Sequence, residues 1–176
     1  MRFPALVLLF LLIPILRAED EAASATFPGS WEGVWKGTCQ KTRGGVVATQ
    51  FLMELHIKAL DGRDGWTWQV VYGEGETQQV RAYELLPVDK DKGHYVIDEK
   101  NSILLDAFLA AGTLHIRFWV ADNVIDVHYT VAGDNLTFDL TTYGDKPVRM
   151  SGGKGRTTPV ASYALRSVQR AVLRRQ

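Results

Sequence analysis

Three tight turns between Ile103 and Thr142 select the same inward face, and that agreement leaves little freedom for the fold. A two-residue loop at Ala111-Gly112 sets Leu109 opposite Leu114, Ala107 opposite Ile116, Leu105 opposite Phe118 and Ile103 opposite Val120. A loop at Asp122-Asn123, residues that suit positive φ, sets Val120 opposite Ile125, Phe118 opposite Val127, Ile116 opposite Tyr129 and Leu114 opposite Val131. A loop at Gly133-Asp134, with Gly first as a type II′ turn prefers, sets Val131 opposite Leu136, Tyr129 opposite Phe138 and Val127 opposite Leu140. A slip of one residue at any turn would send these apolar rows to the other face. The segment is therefore expected to be a four-stranded antiparallel meander.

The opposite face carries Asp106, Arg117, His128 and Asp139, which the same registers align as one cross-strand ladder. Such pairs contribute about 0.2–1 kcal/mol each. A catalytic His128–Asp139 dyad would need a nucleophile, and only Thr130, Thr137 and Thr141 lie near. The ladder thus reads as a solvated surface, no catalytic residue is assigned, and no enzymatic activity is expected.

Upstream, strands are expected over 31–40, 46–60, 66–73, 77–88 and 93–98. In the second, Phe51, Met53, Leu55 and Ile57 share a face; in the third, Trp66, Trp68, Val70 and Tyr72 do. Residues 144–159 read as a Gly/Lys/Arg loop around a possible short strand at 148–150. For 160–173 both strand and helix periodicities fit, with a strand that frays or turns helical favoured. About ten short strands joined by turns predict an all-β fold. An antiparallel up-and-down barrel of eight to ten strands is favoured, because closure removes exposed edges, with a β-sandwich as the alternative.

Residues 3–16 are almost wholly apolar, contain Pro4 and Pro14, and are followed by Ala18 and Ala23-Ser24-Ala25. That is the pattern of a secretory signal peptide spanning 1–25, with cleavage after Ala18 to Ala25. The run is short for a membrane span. The expectation is a secreted or periplasmic protein with a single domain over 26–176 and no transmembrane segment. Cys39 is the only cysteine, so it has no internal disulfide partner and reads as a small apolar residue. Net charge is zero, which argues against a general nucleic-acid binder. From Arg149 onward there are Lys and Arg residues but no Asp or Glu, giving a basic tail suited to an anionic membrane surface or acidic polymer.

Gly29-Ser30-Trp31 followed by Gly33-Val34-Trp35-Lys36-Gly37 places Gly-x-Trp at the entry to the first strand of a meander. This resembles the calycins, the lipocalin and fatty-acid-binding group. The resemblance implies a lipocalin-like barrel with one end closed by Trp31 or Trp35 against a basic residue of the last strand, for which Arg166 is the candidate. It also implies a small hydrophobic ligand inside. The expected ligand-binding residues are Met53, Leu55, Trp68, Tyr72, Ile116, Phe118, Tyr129 and Phe138, with Tyr72 and Tyr129 as orienting polar groups. The same rows could instead fill the interior.

Gly152-Gly153-Lys154-Gly155 lacks the spacing of a phosphate loop. His56, His94, His115 and His128 show no metal spacing and none lies on the apolar rows, so no metal or cofactor is expected. Asn135-Leu136-Thr137 is a sequon at a turn, where the Asn reads as a turn residue. Leu104, Phe108 and Trp119 fall on the outer face, with Leu104 and Trp119 as direct partners. They offer a possible homodimer contact or, with Trp66, an aromatic platform for carbohydrate.

Overall fold

The computed structural model describes residues 26–176. The expected signal peptide lies outside the described residues. Ten strands run in sequence: β1 (Gly33–Arg43), β2 (Val46–Ile57), β3 (Trp66–Tyr72), β4 (Gln79–Asp89), β5 (His94–Asp98), β6 (Leu104–Ala110), β7 (Thr113–Val120), β8 (Asn123–Ala132), β9 (Asn135–Ser151) and β10 (Val160–Arg175). Each pairs antiparallel with its sequence neighbours, and β1 pairs with β10 to close the barrel. The chain is all-β with up-and-down topology, and the sandwich alternative is set aside.

Closure follows from pleat and composition. Most alternate residues along the strands are apolar and point inward, so a closed sheet buries them in one core and leaves no edge strand. That core holds Trp35, Cys39, Met53, Leu55, Trp68, Leu85, Leu114, Leu136 and Leu173 with essentially no exposure. Outward rows are charged: Glu54 meets Lys36 at 2.9 Å and His56 at 2.6 Å, and Arg170 meets Asp139 at 2.5 Å.

Two of the three expected hairpins hold their registers. Leu109 pairs with Leu114 and Ala107 with Ile116; Val131 pairs with Leu136, Tyr129 with Phe138 and Val127 with Leu140. The middle hairpin turns one residue earlier, at Ala121-Asp122, with Ala121 at φ 52°. Its register is thereby shifted by two: Leu114 pairs with Tyr129, Ile116 with Val127 and Phe118 with Ile125. A shift of two preserves the pleat, so the inward face survives although the partners change. Asp122 and Asn123 are held instead by Arg166, whose Nη1 donates to both side chains at 2.7 Å.

That shift breaks the middle rung of the expected charge ladder, Arg117 opposite His128, while His128 still faces Asp139. Arg117 now faces Asp126 and grips its carboxylate with two nitrogens, Nη2 at 2.8 Å. Asp106 lies across from Val96 and takes His94 at 2.7 Å. The β6–β7 ladder ends at Ala107 and Ile116, so Ile103 and Leu105 do not pair with Val120 and Phe118. Beyond that pair the two strands separate, and Leu105 and Phe118 flank an unpaired seam.

The C-terminal ambiguity resolves as a strand along its whole length. The loop expected over 144–159 is shorter, because β9 continues through Gly144 to Ser151. Gly144 is buried, and a Cβ there would meet the Arg166 guanidinium at 3.4 Å. The glycine serves close packing in the strand, where its composition suggested a break.

Gly37 makes a tighter demand. A Cβ at this position would collide with the backbone carbonyl of Val172 and stand 3.1 Å from Leu173 Cδ2. Backbone cannot yield as a flexible side chain can, so Gly37→Ala is expected to lose about 1–3 kcal/mol. Urea denaturation measures this; an unchanged midpoint would show that the β1–β10 approach is looser than described.

Candidate functional site

The two ends of the barrel differ, and the difference follows from the side chains at each. At the closed end, a 3₁₀ turn over Gly29–Trp31 lays Trp31 across the opening. Phe27 meets Trp31 edge to face at 4.7 Å and Tyr95 at 5.0 Å, while Trp31 packs on Trp68 at 6.5 Å. Trp35 donates its indole N–H to Trp31 O at 2.9 Å. The Arg175 guanidinium lies 4.1 Å over the Trp35 ring and donates to the carbonyls of Ser30 (3.1 Å) and Glu32.

The basic partner of this closure is therefore Arg175, and the assignment of Arg166 is corrected. β10 runs antiparallel to β1, so its C-terminal end meets the start of β1, with Trp35 opposite Arg175. Arg166 sits nearer the other end of β10, exposed, on the turn after β7.

The open half is hollow. A cavity of about 90 Å³ is walled by Trp68, Tyr72, Ile116, Phe118, Tyr129 and Phe138, among others, with Leu105 beside the β6–β7 seam. Above it a mouth of about 430 Å³ is bounded by Phe51, Gln79 and Gln169 and shares Tyr72, Arg81 and Leu140 with the cavity. Six of the eight expected ligand-binding residues thus line the hollow. Met53 and Leu55 do not; both are completely buried, Leu55 between Trp35 and Val70 and Met53 across from Tyr72. The barrel is neither solid nor open throughout: Trp31, Trp35 and their neighbours fill one end, and an aromatic-walled hollow bounded by Trp68, Tyr72, Tyr129 and Phe138 remains toward the other.

Within the cavity wall the Trp68 ring stands edge to face with Tyr129, at 5.1 Å and 89°. Trp68 Nε1–H is buried and has no hydrogen-bond partner among the described residues. Burial raises the Tyr129 pKa and the approach of the Trp68 N–H to the hydroxyl works against that rise, although the pair falls short of hydrogen-bond geometry. Indole N–H groups in protein interiors ordinarily find an acceptor, so this donor stands out. At the rim, Arg81 donates to Tyr83 Oη at 3.3 Å and lies 5.4 Å from the Tyr72 ring. Glu99 also lines the cavity. Sequence reading missed Arg81, Tyr83 and Glu99, although the alternation of β4 with Leu85 inward would have placed Arg81 and Tyr83 on the same row.

Burial pushes the phenol of Tyr129 well above its usual range, that of Tyr72 to about 12, and the Cys39 thiol to about 11. All three are neutral in the fold and ionise more readily once unfolded. Their contribution is fully present below the unfolded values of 9.0 and 10.0, and is lost as pH rises toward the folded ones. Urea midpoints are expected to be level in this respect up to pH 9 and to fall between pH 9 and 12. A midpoint unchanged over that span would contradict the burial of these groups.

The outer residues behave differently from expectation. Leu104 pairs with Asp98 and Trp119 with Val124, so the two are not partners. Phe108 stacks on His94 at 4.6 Å, and Trp119 Nε1 reaches Asp145 at 3.5 Å. The three exposed residues form no single apolar cluster. Trp66 belongs to the inward row and donates to Glu32 at 3.0 Å, so it leaves the outer platform. His128 does face Asp139, but that carboxylate is taken by Arg170, and the His128 ring lies edge-on to His115. Among the described residues no group of three His, Cys, Asp or Glu is placed to hold a metal ion.

No protein-family model matches the chain, and no curated protein sequence matches it. Solved structures do. The chain is similar to an S-type phycobiliprotein lyase from Guillardia theta, with a TM-score of 0.54 and 7% identity over 82% of this chain and 88% of that one. At that identity the likeness is one of fold alone.

Proposed function

We propose that the protein is an exported lipocalin-like barrel that binds a small, neutral, mostly apolar ligand in its open half. The ligand's hydrogen-bond acceptor, a carbonyl, ether or hydroxyl oxygen, would sit against the Trp68 indole N–H. The observation that carries this reading is that unpartnered buried donor in the wall of a cavity. Leaving such a group unpaired costs about 1–3 kcal/mol, which a ligand oxygen would offset. A neutral acceptor suits the position because the nearby walls are aromatic and aliphatic, whereas the charged Arg81 and Glu99 are drawn into the lining from β4 and the end of β5. The mouth has the size of ordinary small-molecule sites, and the cavity below it admits only the end of a ligand. The structural neighbour is named a lyase, so handing the ligand on, rather than storing it, belongs to the same proposal.

The test is native mass spectrometry of the full chain before and after organic extraction, with Nile red titrated into the extracted protein. An extractable neutral compound, or saturable Nile red binding, is expected. Neither an adduct nor probe uptake would overturn the reading.

A second reading rests on an outer groove of about 480 Å³, walled by Arg117, Asp126, Tyr143, Asp145 and Tyr163 beside exposed Trp119. Aromatic faces next to fixed charged groups suit a sugar ring. Polysaccharide pull-down that is lost in Trp119→Ala would support it, and an absent or unaltered pull-down would dispose of it.

A further inference from the structure

The β9–β10 pair outgrows the barrel. The β8 ladder meets β9 no further than Gly144, and β1 meets β10 no further than Val168. Asp145–Ser151 and the start of β10 therefore form a two-stranded ribbon with both edges free, standing at the open end. Such a ribbon is marginal in water unless something supports it. Its composition is unusual for a solvated arm. Val148 and Met150, 67% and 64% exposed, alternate with Arg149. Met150 pairs with Ala161 and Arg149 with Ser162, so Val148, Met150 and Ala161 share one side, while Arg149 and Ser162 lie on the other with Val160. Val46 and Val47, at the tip of the adjacent β1–β2 hairpin, are also exposed.

The charge at this corner is mostly positive. Lys41 and Arg43 come from β1, Lys146 and Arg149 from the ribbon, and Lys154 and Arg156 from its tip loop. None of these takes part in an ion pair among the described residues. Arg166 and Arg170, further along β10, are neutralised by Asp122 and Asp139. Asp145, at the ribbon's base, is the acidic residue nearest this group on β9.

We infer that the β9–β10 ribbon and the β1–β2 tip form a docking edge for an anionic lipid surface. The basic side chains would meet headgroups while Val148 and Met150 enter the interfacial layer. The surface lies against the open end, so an apolar ligand passing between bilayer and barrel would avoid water. The rest of the barrel stays outside the bilayer, since its outward rows are charged, the reverse of a membrane-spanning barrel. The docking stands independently of what the barrel holds.

The test uses the full chain, every variant carrying the same N-terminal segment, sedimented with phosphatidylcholine vesicles with and without phosphatidylglycerol. Binding is expected to need phosphatidylglycerol and to weaken with salt. It should fall about tenfold or more in K154E/R156E and in V148S/M150S, but not in V88S at the opposite end. Far-ultraviolet circular dichroism checks that each variant is folded. Three results would overturn the inference. One is binding that ignores lipid charge and both double variants. Another is binding to heparin but not to vesicles, which would mark an acidic polymer. The third is a solution dimer that V148S/M150S separates, which would mark a second copy of the chain.

Discussion

Trp35→Ala is expected to lose about 3–5 kcal/mol, the usual cost of emptying a large aromatic site in a core. Trp35 has no exposure, anchors Trp31 through its indole N–H, and carries the Arg175 guanidinium on its face. One substitution therefore opens a cavity, frees the closing turn and strands a cation that was stacked on a ring. Against a total of about 5–15 kcal/mol for ordinary domains, this is a large share. Trp35→Phe separates the contributions, because it keeps an aromatic face for Arg175 and removes the bond to Trp31 O. Its cost should be smaller, near the roughly 1 kcal/mol of a lost hydrogen bond plus some packing. Urea denaturation of both variants is the measurement. If Trp35→Ala costs less than about 1 kcal/mol, the closed end does not hold the barrel together as described.

Leu105→Trp is expected to weaken Nile red binding by at least about tenfold, equivalent to about 1.4 kcal/mol. Leu105 is only partly buried, lines the cavity and borders the seam where β6 and β7 part. Because Leu105 is incompletely buried, an indole there is expected to fill the hollow with less strain than at a packed position. Met53→Leu is the matched control: that residue is fully buried, does not line the cavity, and a volume-conserving change should leave the probe's affinity intact. Equal binding by Leu105→Trp and the unaltered chain would place the probe elsewhere.

Much of this architecture was legible in the residues, for identifiable reasons. The Ala111-Gly112 and Gly133-Asp134 turns carry glycine at positive φ, and they fix their hairpins directly. The Asp122-Asn123 turn was misplaced because two good turn formers sit side by side, while the fold uses Ala121 at positive φ and employs both polar side chains to hold Arg166. Parity survived that error, so the inward rows were right, while the outward ladder kept His128 opposite Asp139 and lost Arg117 opposite His128. Gly144 looked like a breaker because its composition is that of a loop; its packing against Arg166 depends on a strand ten or more residues long that no local signal reveals.

For the site, the aromatic rows could be read but their depth could not. Periodicity assigns a face, whereas the position along the barrel axis depends on how all ten strands are staggered. That stagger brings Arg175 rather than Arg166 to Trp35, and it leaves Met53 covered although its cross-strand partner Tyr72 lines the hollow. The unpartnered state of Trp68 depends on what lies opposite it across the barrel, which is a property of closure alone.

The indole N–H signals in a ¹H–¹⁵N spectrum test the central claim most directly. The chain has 5 tryptophans, and each gives a separate side-chain signal. On titration with a medium-chain alkyl ketone, the Trp68 signal should move downfield as its N–H gains an acceptor, while those of Trp35 and Trp66, already bonded to Trp31 O and Glu32, should stay nearly still. A ketone that binds without moving the Trp68 signal, or that moves only Trp119 on the outer face, would contradict the account.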